Sequence, residues 1–190
     1  MSKQGNLIVL SGPSGVGKGT ILSEVLQKFT HLQLSVSATT RPKRKGEIDL
    51  VDYRFMSVVE FKKMIDANEF LEWCIVHDNF YGTVAADVND RLSRGIDVIL
   101  EIDTQGFKKL NPNQIQFSSI FIAPPSMAEL SNRLIKRNTE SSEVIKRRLA
   151  IAEKELAVMP EYDYIIENHT VGKSVQQLIS IINKLNNKVG

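Results

Sequence analysis

The sequence is poor in the residues that form covalent cross-links and metal sites. Of its 190 residues only Cys74 is a cysteine, which excludes an internal disulfide and a cysteine-rich zinc site. The three histidines, His31, His77 and His169, lie far apart in the sequence, so a histidine-based metal site is not expected. Cys74 is most simply explained as a small, buried, apolar residue.

A long hydrophobic run and a strong excess of one charge are also missing. The first apolar run spans only Leu7 to Leu10, too short for a signal peptide or a membrane span. The net charge is +2, from 24 Lys and Arg against 22 Asp and Glu, which predicts neither a nucleic-acid nor a membrane partner. With 42% hydrophobic and 24% charged residues, the composition is that of an ordinary globular domain. We expect a soluble, cytoplasmic protein.

Short apolar strands alternate with segments of helical periodicity. Predicted strands cover residues 7–10, 32–37, 97–103, 119–123 and 164–166. Predicted helices cover residues 18–29, 85–94, 127–137, 143–158 and 174–185. This alternation predicts an α/β fold with a parallel sheet covered by helices on both faces. Strand-like pieces at 53–55 and 70–73 around a helical stretch at 58–67 indicate an insertion.

A phosphate-binding motif follows the first predicted strand. The run Gly12-Pro13-Ser14-Gly15-Val16-Gly17-Lys18 has the Walker A spacing G-x-x-x-x-G-K. Small residues let successive backbone N–H groups point at phosphate oxygens, and Lys18 can reach the β- and γ-phosphates. Gly19 stands where a hydroxyl residue usually follows the lysine, so the usual direct Mg²⁺ ligand is missing. Thr20 is a candidate phosphate contact, with Mg²⁺ held through water and the nucleotide.

Two carboxylates end another predicted strand. Glu101 and Asp103 are two residues apart, so they project from the same face of the strand. Ligands of open parallel sheets bind at the carboxyl ends of the strands. Glu101 is a candidate for orienting Mg²⁺ through its water ligands, and Asp103 for the same role or for contact with a substrate.

Further motifs extend along nearly the whole chain. They are Ser37-Ala38-Thr39-Thr40-Arg41-Pro42, Arg44, Gly46-Glu47, Asp52-Tyr53, Phe55, Phe70-Leu71-Glu72-Trp73, Tyr81-Gly82-Thr83, Glu101-Ile102-Asp103, Gln105-Gly106, Ile122-Ala123-Pro124-Pro125-Ser126, Arg133-Leu134, Arg137 and Lys146-Arg147-Arg148-Leu149. Together with the phosphate loop, these motifs resemble those of guanylate kinases, from about residue 5 to about residue 185.

The resemblance implies a P-loop nucleoside-monophosphate kinase with a single domain, residues 1–190. Its core would comprise residues 1–35, 88–128 and 158–190, a small α+β GMP-binding insertion residues 36–87, and a helical lid residues 129–157. The activity would be Mg²⁺-dependent transfer of the γ-phosphoryl group of ATP to GMP, and to dGMP as well, giving ADP and GDP in purine nucleotide metabolism.

The resemblance also assigns individual residues. ATP binding would use Gly12, Pro13, Ser14, Gly15, Val16, Gly17, Lys18, Gly19, Thr20 and Asn168. GMP binding would use Ser37, Arg41, Arg44, Tyr53, Glu72, Tyr81, Gly82, Thr83 and Asp103. Catalysis would use Lys18, Arg44, Arg137 and Arg148, with the last two closing on the phosphates from the lid.

Elementary chemistry agrees with a site for the GMP phosphate. Arg41 and Arg44 are three residues apart in a predicted loop and can make bidentate contacts with phosphate oxygens. The hydroxyls of Tyr53 and Tyr81 can add donors. A strong general base is not needed, because the accepting phosphate is already an anion.

The guanine base also finds suitable partners. Guanine presents N1–H and N2–H₂ as donors, which suit the carboxylate of Glu72. Its O6 accepts hydrogen bonds, which suits the hydroxyls of Ser37 and Thr83. Asp103 would take another guanine amine, by resemblance to the family.

Two other functions stay open at the level of the sequence. A non-catalytic guanylate-kinase-like module that binds protein partners would typically lack the phosphate loop, whereas this chain keeps Lys18, Arg137 and Arg148. A related kinase with another acceptor, such as AMP or a phosphorylated sugar, is disfavoured by Glu72, Ser37 and Thr83. Monomer and homodimer are equally compatible with the sequence.

Overall fold

The computed structural model describes residues 4–76, 78–136 and 142–188. Its internal contacts divide the chain into two compact units. The first unit contains the residues up to Leu7 together with His31–Phe117, and the second contains Ile8–Thr30 and the residues from Ser118 onward.

Strands and helices occur in both units. The strands are β1 (Leu7–Ser11), β2 (Leu32–Leu34), β3 (Ala38–Thr39), β4 (Arg54–Phe55), β5 (Phe70–Val76), β6 (Asn79–Val84), β7 (Asp97–Glu101), β8 (Ser118–Ala123) and β9 (Tyr164–Glu167). The helices are α1 (Lys18–Leu26), α2 (Val58–Asp66), α3 (Ala85–Ser93), α4 (Thr104–Lys109), α5 (Met127–Lys136), α6 (Ser142–Ala157) and α7 (Val171–Lys188), with a short 3₁₀ turn at Met159–Glu161.

The first unit holds a parallel strand pair and a four-stranded sheet. β2 and β7 pair in parallel, with Leu34 opposite Ile99. The four-stranded sheet has the order β4-β3-β6-β5. Its strands β5 and β6 form an antiparallel hairpin that sets Glu72 opposite Thr83. This pairing brings a carboxylate and a hydroxyl together from different parts of the sequence.

Helix α2 fastens the four-stranded sheet from one side. Ser57 and Glu60 form a capping box, in which each side chain accepts a hydrogen bond from the other residue's backbone N–H. One turn later, Phe61 is fully buried with Ala38 of β3 and Val84 of β6. The capping box stabilises the start of α2, and the packing of Phe61 holds this helix against the strands that carry the polar side chains of this unit.

The second unit is built on the parallel strands β1, β8 and β9. Val9 of β1 lies opposite Ser119 of β8, and nearly all residues of these two strands are buried, as is typical of parallel sheets. Helix α1 packs against α7, and α5 packs against α6. The second helix pair encloses a buried cluster of Leu130, Leu134 and Ala152.

The structure confirms the predicted α/β class, and each predicted strand and helix has a counterpart with shifted ends. Strands β3 and β6 and helix α4 are additional. β3 has two residues and α4 has six, too few for a periodic pattern, and β6 contains Asn79 and Gly82, which are rare in strands. The division into core, insertion and lid stays a prediction. Within the described ranges, no helix has the length and apolarity needed to cross a bilayer.

Candidate functional site

A cavity of about 360 Å³ lies in the first unit, within the size range of small-molecule sites. It is lined by Ser37, Arg41, Arg44, Glu47, Tyr53, Glu72, Cys74, Val76, Tyr81, Gly82, Glu101, Ile102 and Asp103. The structure thus brings together all the residues predicted for GMP except Thr83, and it adds Glu101. Charged groups of both signs face the same space.

Glu72 is the most deeply buried charged residue of this cavity. The side chain comes from the middle of β5, and the residue is 4% exposed. Its Oε1 accepts a hydrogen bond of 2.6 Å from the hydroxyl of Thr83, which lies behind it and is itself fully buried. Burial raises the pKa of Glu72 to about 7, because a charged carboxylate is poorly solvated there. The carboxylate is therefore fixed in position and ready to accept hydrogen bonds from a ligand.

Asp103 is the second carboxylate near Glu72, and it also begins helix α4. Its Oδ1 accepts from the backbone N–H of Gly106 at 2.8 Å, and its Oδ2 accepts from the Gln105 amide at 3.2 Å. The thiol of Cys74 lies 3.7 Å from Oδ1. Burial raises the pKa of Cys74 above its ordinary value, so the thiol stays protonated and is a hydrogen-bond donor.

The arginine side of the cavity is organised by Glu47. Its carboxylate accepts two hydrogen bonds from the Arg41 guanidinium, at 3.1 and 2.7 Å, and a third from the backbone N–H of Arg44 at 2.7 Å. This pairing lowers the pKa of Glu47 and raises that of Arg41. The Arg41 guanidinium also lies 5.3 Å above the ring of Tyr53, whose pKa is raised by burial.

The phosphate loop lies in the second unit, between β1 and α1. Gly12, Gly15 and Gly17 have φ angles of 149°, 86° and 103°, and Gly17 is the N-cap of α1. A residue with a Cβ at the Gly17 position would be strained, since this left-handed conformation favours glycine. The Lys18 ammonium folds back over the loop and donates to the carbonyl oxygens of Gly12 and Pro13. A phosphate would find both the lysine and the loop N–H groups at this point.

A second pocket, of about 440 Å³, lies beside the phosphate loop. It is lined by Gly15, Val16, Gly17, Arg133, Lys136, Asn168, His169, Thr170 and Val171. Asn168 comes from the loop between β9 and α7 and is 2% exposed. Its side-chain Nδ2 donates to the Val16 carbonyl at 2.7 Å, and its Oδ1 accepts from the Ser174 hydroxyl at 2.9 Å. The side-chain nitrogen and the side-chain oxygen of Asn168 are therefore both used in hydrogen bonds within the protein.

Arg133 of α5 strengthens the same junction. Its guanidinium donates to the backbone oxygen of Asn168 at 2.8 Å and to that of Val16 at 3.4 Å. Its Nε donates to Glu129 one turn earlier in the helix at 2.9 Å. The carbonyl of Val16 thus receives two donors, and the backbone of the phosphate loop is fixed on its pocket side.

The remaining residues predicted for ATP binding or catalysis have different locations. Arg44 lines the cavity of the first unit. Arg148 of α6 donates from Nη1 to the Ser14 hydroxyl at 3.2 Å, which places one basic side chain at the loop. Gly19 and Thr20 form the first turn of α1. Arg137 lies outside the described residues.

Glu47, Arg133 and Ser174 hold groups of the two sites through hydrogen bonds, and none of them is among the predicted site residues. Glu47 lies two residues after the basic run that extends from Arg41 to Lys45, so its position in the sequence is a usable signal. Arg133 shares a predicted helix with Arg137, which is a weaker signal. Ser174 is an ordinary serine in a helical pattern, and a single sequence offers nothing to distinguish it.

Comparisons with known proteins agree with this geometry. A family model described as guanylate kinase matches residues 4–185. The guanylate kinase of Clostridioides difficile is 45% identical over 187 residues, covering 98% of this chain and 91% of the relative. That of Caldanaerobacter subterraneus subsp. tengcongensis is 48% identical over 182 residues, covering 96% of this chain and 88% of the relative.

A solved structure gives the same answer. The crystal structure of guanylate kinase from Anaplasma phagocytophilum matches with a TM-score of 0.76 at 32% sequence identity, covering 96% of this chain and 86% of that chain. The family model covers nearly the whole sequence, and the relatives are similar along their lengths rather than at the phosphate loop alone. The chain belongs to the guanylate kinase family.

Proposed function

We propose that the chain is an ATP:GMP phosphotransferase, which converts ATP and GMP into ADP and GDP. The observation that supports this most directly is the cavity of the first unit. It combines two guanidinium groups, from Arg41 and Arg44, with the buried carboxylate of Glu72. Guanidinium groups suit a phosphate, and a buried carboxylate suits the N–H donors of guanine. GMP carries both kinds of group in one molecule.

The base would be held by Glu72 and Asp103. Glu72 accepts from guanine N1–H and N2–H₂, and Asp103 accepts from a further guanine amine hydrogen. Since the Thr83 hydroxyl already donates to Glu72, its role is to fix the carboxylate, and Ser37 is the hydroxyl that lines the cavity for O6. Adenine has no amino group at position 2 and an acceptor at N1, so bound AMP would leave the carboxylate without a donor.

The monophosphate would be bound by Arg41, Arg44, Tyr53 and Tyr81. Arg41 is held in place by Glu47 before any ligand binds, so little side-chain entropy is lost when a phosphate arrives. Its positive charge, and that of Arg44, keep the accepting phosphate oxygen near the reacting centre while reducing the repulsion between anions. No proton acceptor of unusual basicity is required.

ATP would be bound in the second unit. The loop from Gly12 to Lys18 surrounds the phosphates with backbone N–H groups, and the pocket beside Asn168 accommodates the nucleoside. During transfer, negative charge spreads over the equatorial oxygens of the γ-phosphoryl group, and Lys18 and Arg148 stabilise it there. Arg137 has the same proposed role by resemblance to the family.

Mg²⁺ is the expected cofactor, and the residues present fit a water-mediated site. Gly19 offers no side-chain ligand, whereas Glu101 presents an exposed carboxylate, an oxygen ligand type that hydrated Mg²⁺ prefers. When bound, the ion neutralises part of the charge on the nucleotide phosphates. Glu101 would accept hydrogen bonds from its water ligands and so orient it.

A substrate screen tests the proposed function. The purified protein is incubated with ATP, Mg²⁺ and one of GMP, dGMP, AMP, CMP or UMP, and ADP formation is measured with a coupled assay. We expect GMP and dGMP to be phosphorylated and AMP to be a poor acceptor by a factor of about 10⁴ in kcat/KM. A preference for AMP would overturn the proposal. Absence of both turnover and ATP binding would instead indicate a non-catalytic module.

A further inference from the structure

Gly106 lies between the two carboxylates proposed to hold guanine. It is the third residue of α4, it is buried, and its N–H donates to Oδ1 of Asp103 at 2.8 Å. On its other side it faces Glu72. A Cβ at this position would lie 2.6 Å from Oε2 and 3.2 Å from Cδ of Glu72. Both distances are below ordinary van der Waals contact, so the carboxylate occupies the space that a side chain would fill.

Glu72 has little freedom to avoid such a contact. Its Oε1 is held by the Thr83 hydroxyl at 2.6 Å, and the residue is 4% exposed. Turning the carboxylate away from position 106 would break this hydrogen bond inside a closely packed region. The lack of a side chain at Gly106 is therefore a condition for the observed position of Glu72.

The backbone itself does not require glycine here. Gly106 is not among the glycines with a positive φ. Within a helix, alanine is intrinsically more stable than glycine, so glycine costs stability at this position. The close approach of Glu72 is the feature that accounts for it, since the next neighbour, Cβ of Ile102, would lie at 3.4 Å.

We propose that Gly106 is a specificity-determining positioning residue, which fixes Glu72 by leaving it space and fixes Asp103 by its backbone N–H. The proposal rests on the GMP-binding function proposed above. It assigns guanine selectivity to a residue that has no side chain and does not touch the base. Any larger residue would displace the Glu72 carboxylate from the donors that it must meet, while the phosphate side of the cavity stays intact.

The variant Gly106→Ala tests the proposal, with Gly172→Ala as its matched control. Gly172 is also helical, in the first turn of α7, and a Cβ there would meet no described heavy atom within 4 Å. We expect Gly106→Ala to raise KM for GMP about 10- to 100-fold and to lower the GMP-to-AMP ratio of kcat/KM, because small misplacements of binding groups have effects of this size. KM for ATP should change less than about twofold, and Gly172→Ala should leave both constants unchanged. Normal GMP kinetics in Gly106→Ala would overturn the proposal.

A second pair of variants separates this effect from a general loss of folding. In a Glu72→Ala background the two closest atoms that the new Cβ would meet, Oε2 and Cδ of Glu72, are absent. Thermal unfolding of Gly106→Ala alone should begin at a lower temperature than that of wild type, and the loss should vanish when Glu72→Ala is also present. If Gly106→Ala lowers the unfolding temperature equally in the wild-type and the Glu72→Ala backgrounds, or prevents folding in both, Gly106 serves another purpose.

Direct GMP binding, measured by calorimetry without ATP, distinguishes a failure of the proposed GMP-binding function from a failure of the role proposed for Gly106. If wild type does not bind GMP, the proposed function itself fails. If wild type binds GMP and Gly106→Ala binds it equally well, only the role of Gly106 is refuted.

Discussion

The cavity of the first unit and the pocket of the second present different atoms to a ligand. In the first, side chains face the space, among them the buried carboxyl group of Glu72 and the guanidinium of Arg41, which is paired with Glu47. In the second, the backbone of the phosphate loop faces the ligand, while the side chains of Asn168 and Arg133 are used to hold that backbone. One site is built from side-chain chemistry and the other from backbone shape.

This difference corresponds to what each site is proposed to recognise. A base is identified by the pattern of donors and acceptors on its edge, which only precisely placed polar side chains can match. A polyphosphate is the same in every nucleoside triphosphate, and a ring of N–H groups binds it whatever the base. Substitutions in the two pockets should therefore affect different kinetic constants.

The largest effect is expected at the basic residue beside the phosphate loop. Arg148→Ala should lower kcat by about 10³-fold, since its charge is needed most in the transition state, while ATP affinity changes little. The neighbouring exposed Arg147 provides a control, because Arg147→Ala removes the same charge one position away. Single-turnover kinetics and ATP titrations would check this. A near-normal kcat would remove Arg148 from the mechanism.

Glu72→Gln should remove base selectivity without affecting the second pocket. The amide keeps an acceptor for Thr83 but replaces one acceptor oxygen by a donor, which faces the guanine donors. We expect the GMP-to-AMP ratio of kcat/KM to fall at least 100-fold, with KM for ATP unchanged. Glu69→Gln, an exposed position near the start of the same hairpin, is the control. An unchanged ratio would transfer the choice of base to Asp103.

The same substitution should stabilise the empty protein above neutral pH. The pKa of Glu72 is about 7 in the fold against an ordinary 4.5, so the fold favours the protonated form. The contribution of Glu72 to the free energy of unfolding of the wild type therefore falls as the pH rises from 4.5 to 7, and it stays low above pH 7. Relative to wild type, Glu72→Gln should gain up to about 3 kcal/mol in its free energy of unfolding by pH 8. Urea unfolding between pH 5 and pH 8 would check this, and an equal gain at both ends would contradict it.

Ser174→Ala tests whether side chains of the second pocket act through the backbone. Without the serine hydroxyl, the Asn168 amide loses the hydrogen bond at its Oδ1 that orients it, and keeps the bond from its Nδ2 to the Val16 carbonyl. One hydrogen bond of about 1 kcal/mol corresponds to a rise of about fivefold in KM for ATP, with KM for GMP unchanged. Ser119→Ala is the control, because this buried hydroxyl also bonds a side chain, Asp163, away from the pocket. Equal effects of both variants would indicate a loss of stability only.

The smallest effect concerns the loop that leads to Tyr53. Leu50 has a φ of 62°, which is strained for a residue with a Cβ, and its side chain is 59% exposed. Leu50→Gly should raise the free energy of unfolding by about 0.5–1 kcal/mol, whereas Val51→Gly next to it should lower it. Chemical denaturation would measure both. Loss of stability in Leu50→Gly would mean that the leucine side chain contributes packing that outweighs the strain.

The sequence predicts the local parts of this molecule better than the contacts between distant residues. The phosphate loop is a continuous motif between an apolar strand and a helix, so its position and chemistry follow from neighbouring residues. Glu72 and Thr83 were both predicted to face guanine. The hairpin register instead sets Thr83 behind Glu72, and register depends on contacts that a single sequence does not display.

The amide of Asn168 shows the same limit. Its resemblance-based assignment is contact with ATP, yet its side chain bonds to Val16, 152 positions away in the sequence, and to Ser174. Such a connection requires the fold to be known. The acidic and basic residues of the first cavity could be predicted as a set, whereas which of them hold one another in place could not.

The single cysteine allows thiol modification to report on the first cavity without introducing a new cysteine by mutation. Cys74 lines the cavity, is 5% exposed, and has no second thiol with which to compete. A thiol reagent can modify it only when the surrounding structure opens, so the modification rate under native conditions measures how often this region opens. A ligand that binds only the closed form slows the reaction in proportion to its occupancy. The unmodified chain thus carries its own kinetic probe of ligand binding at this cavity.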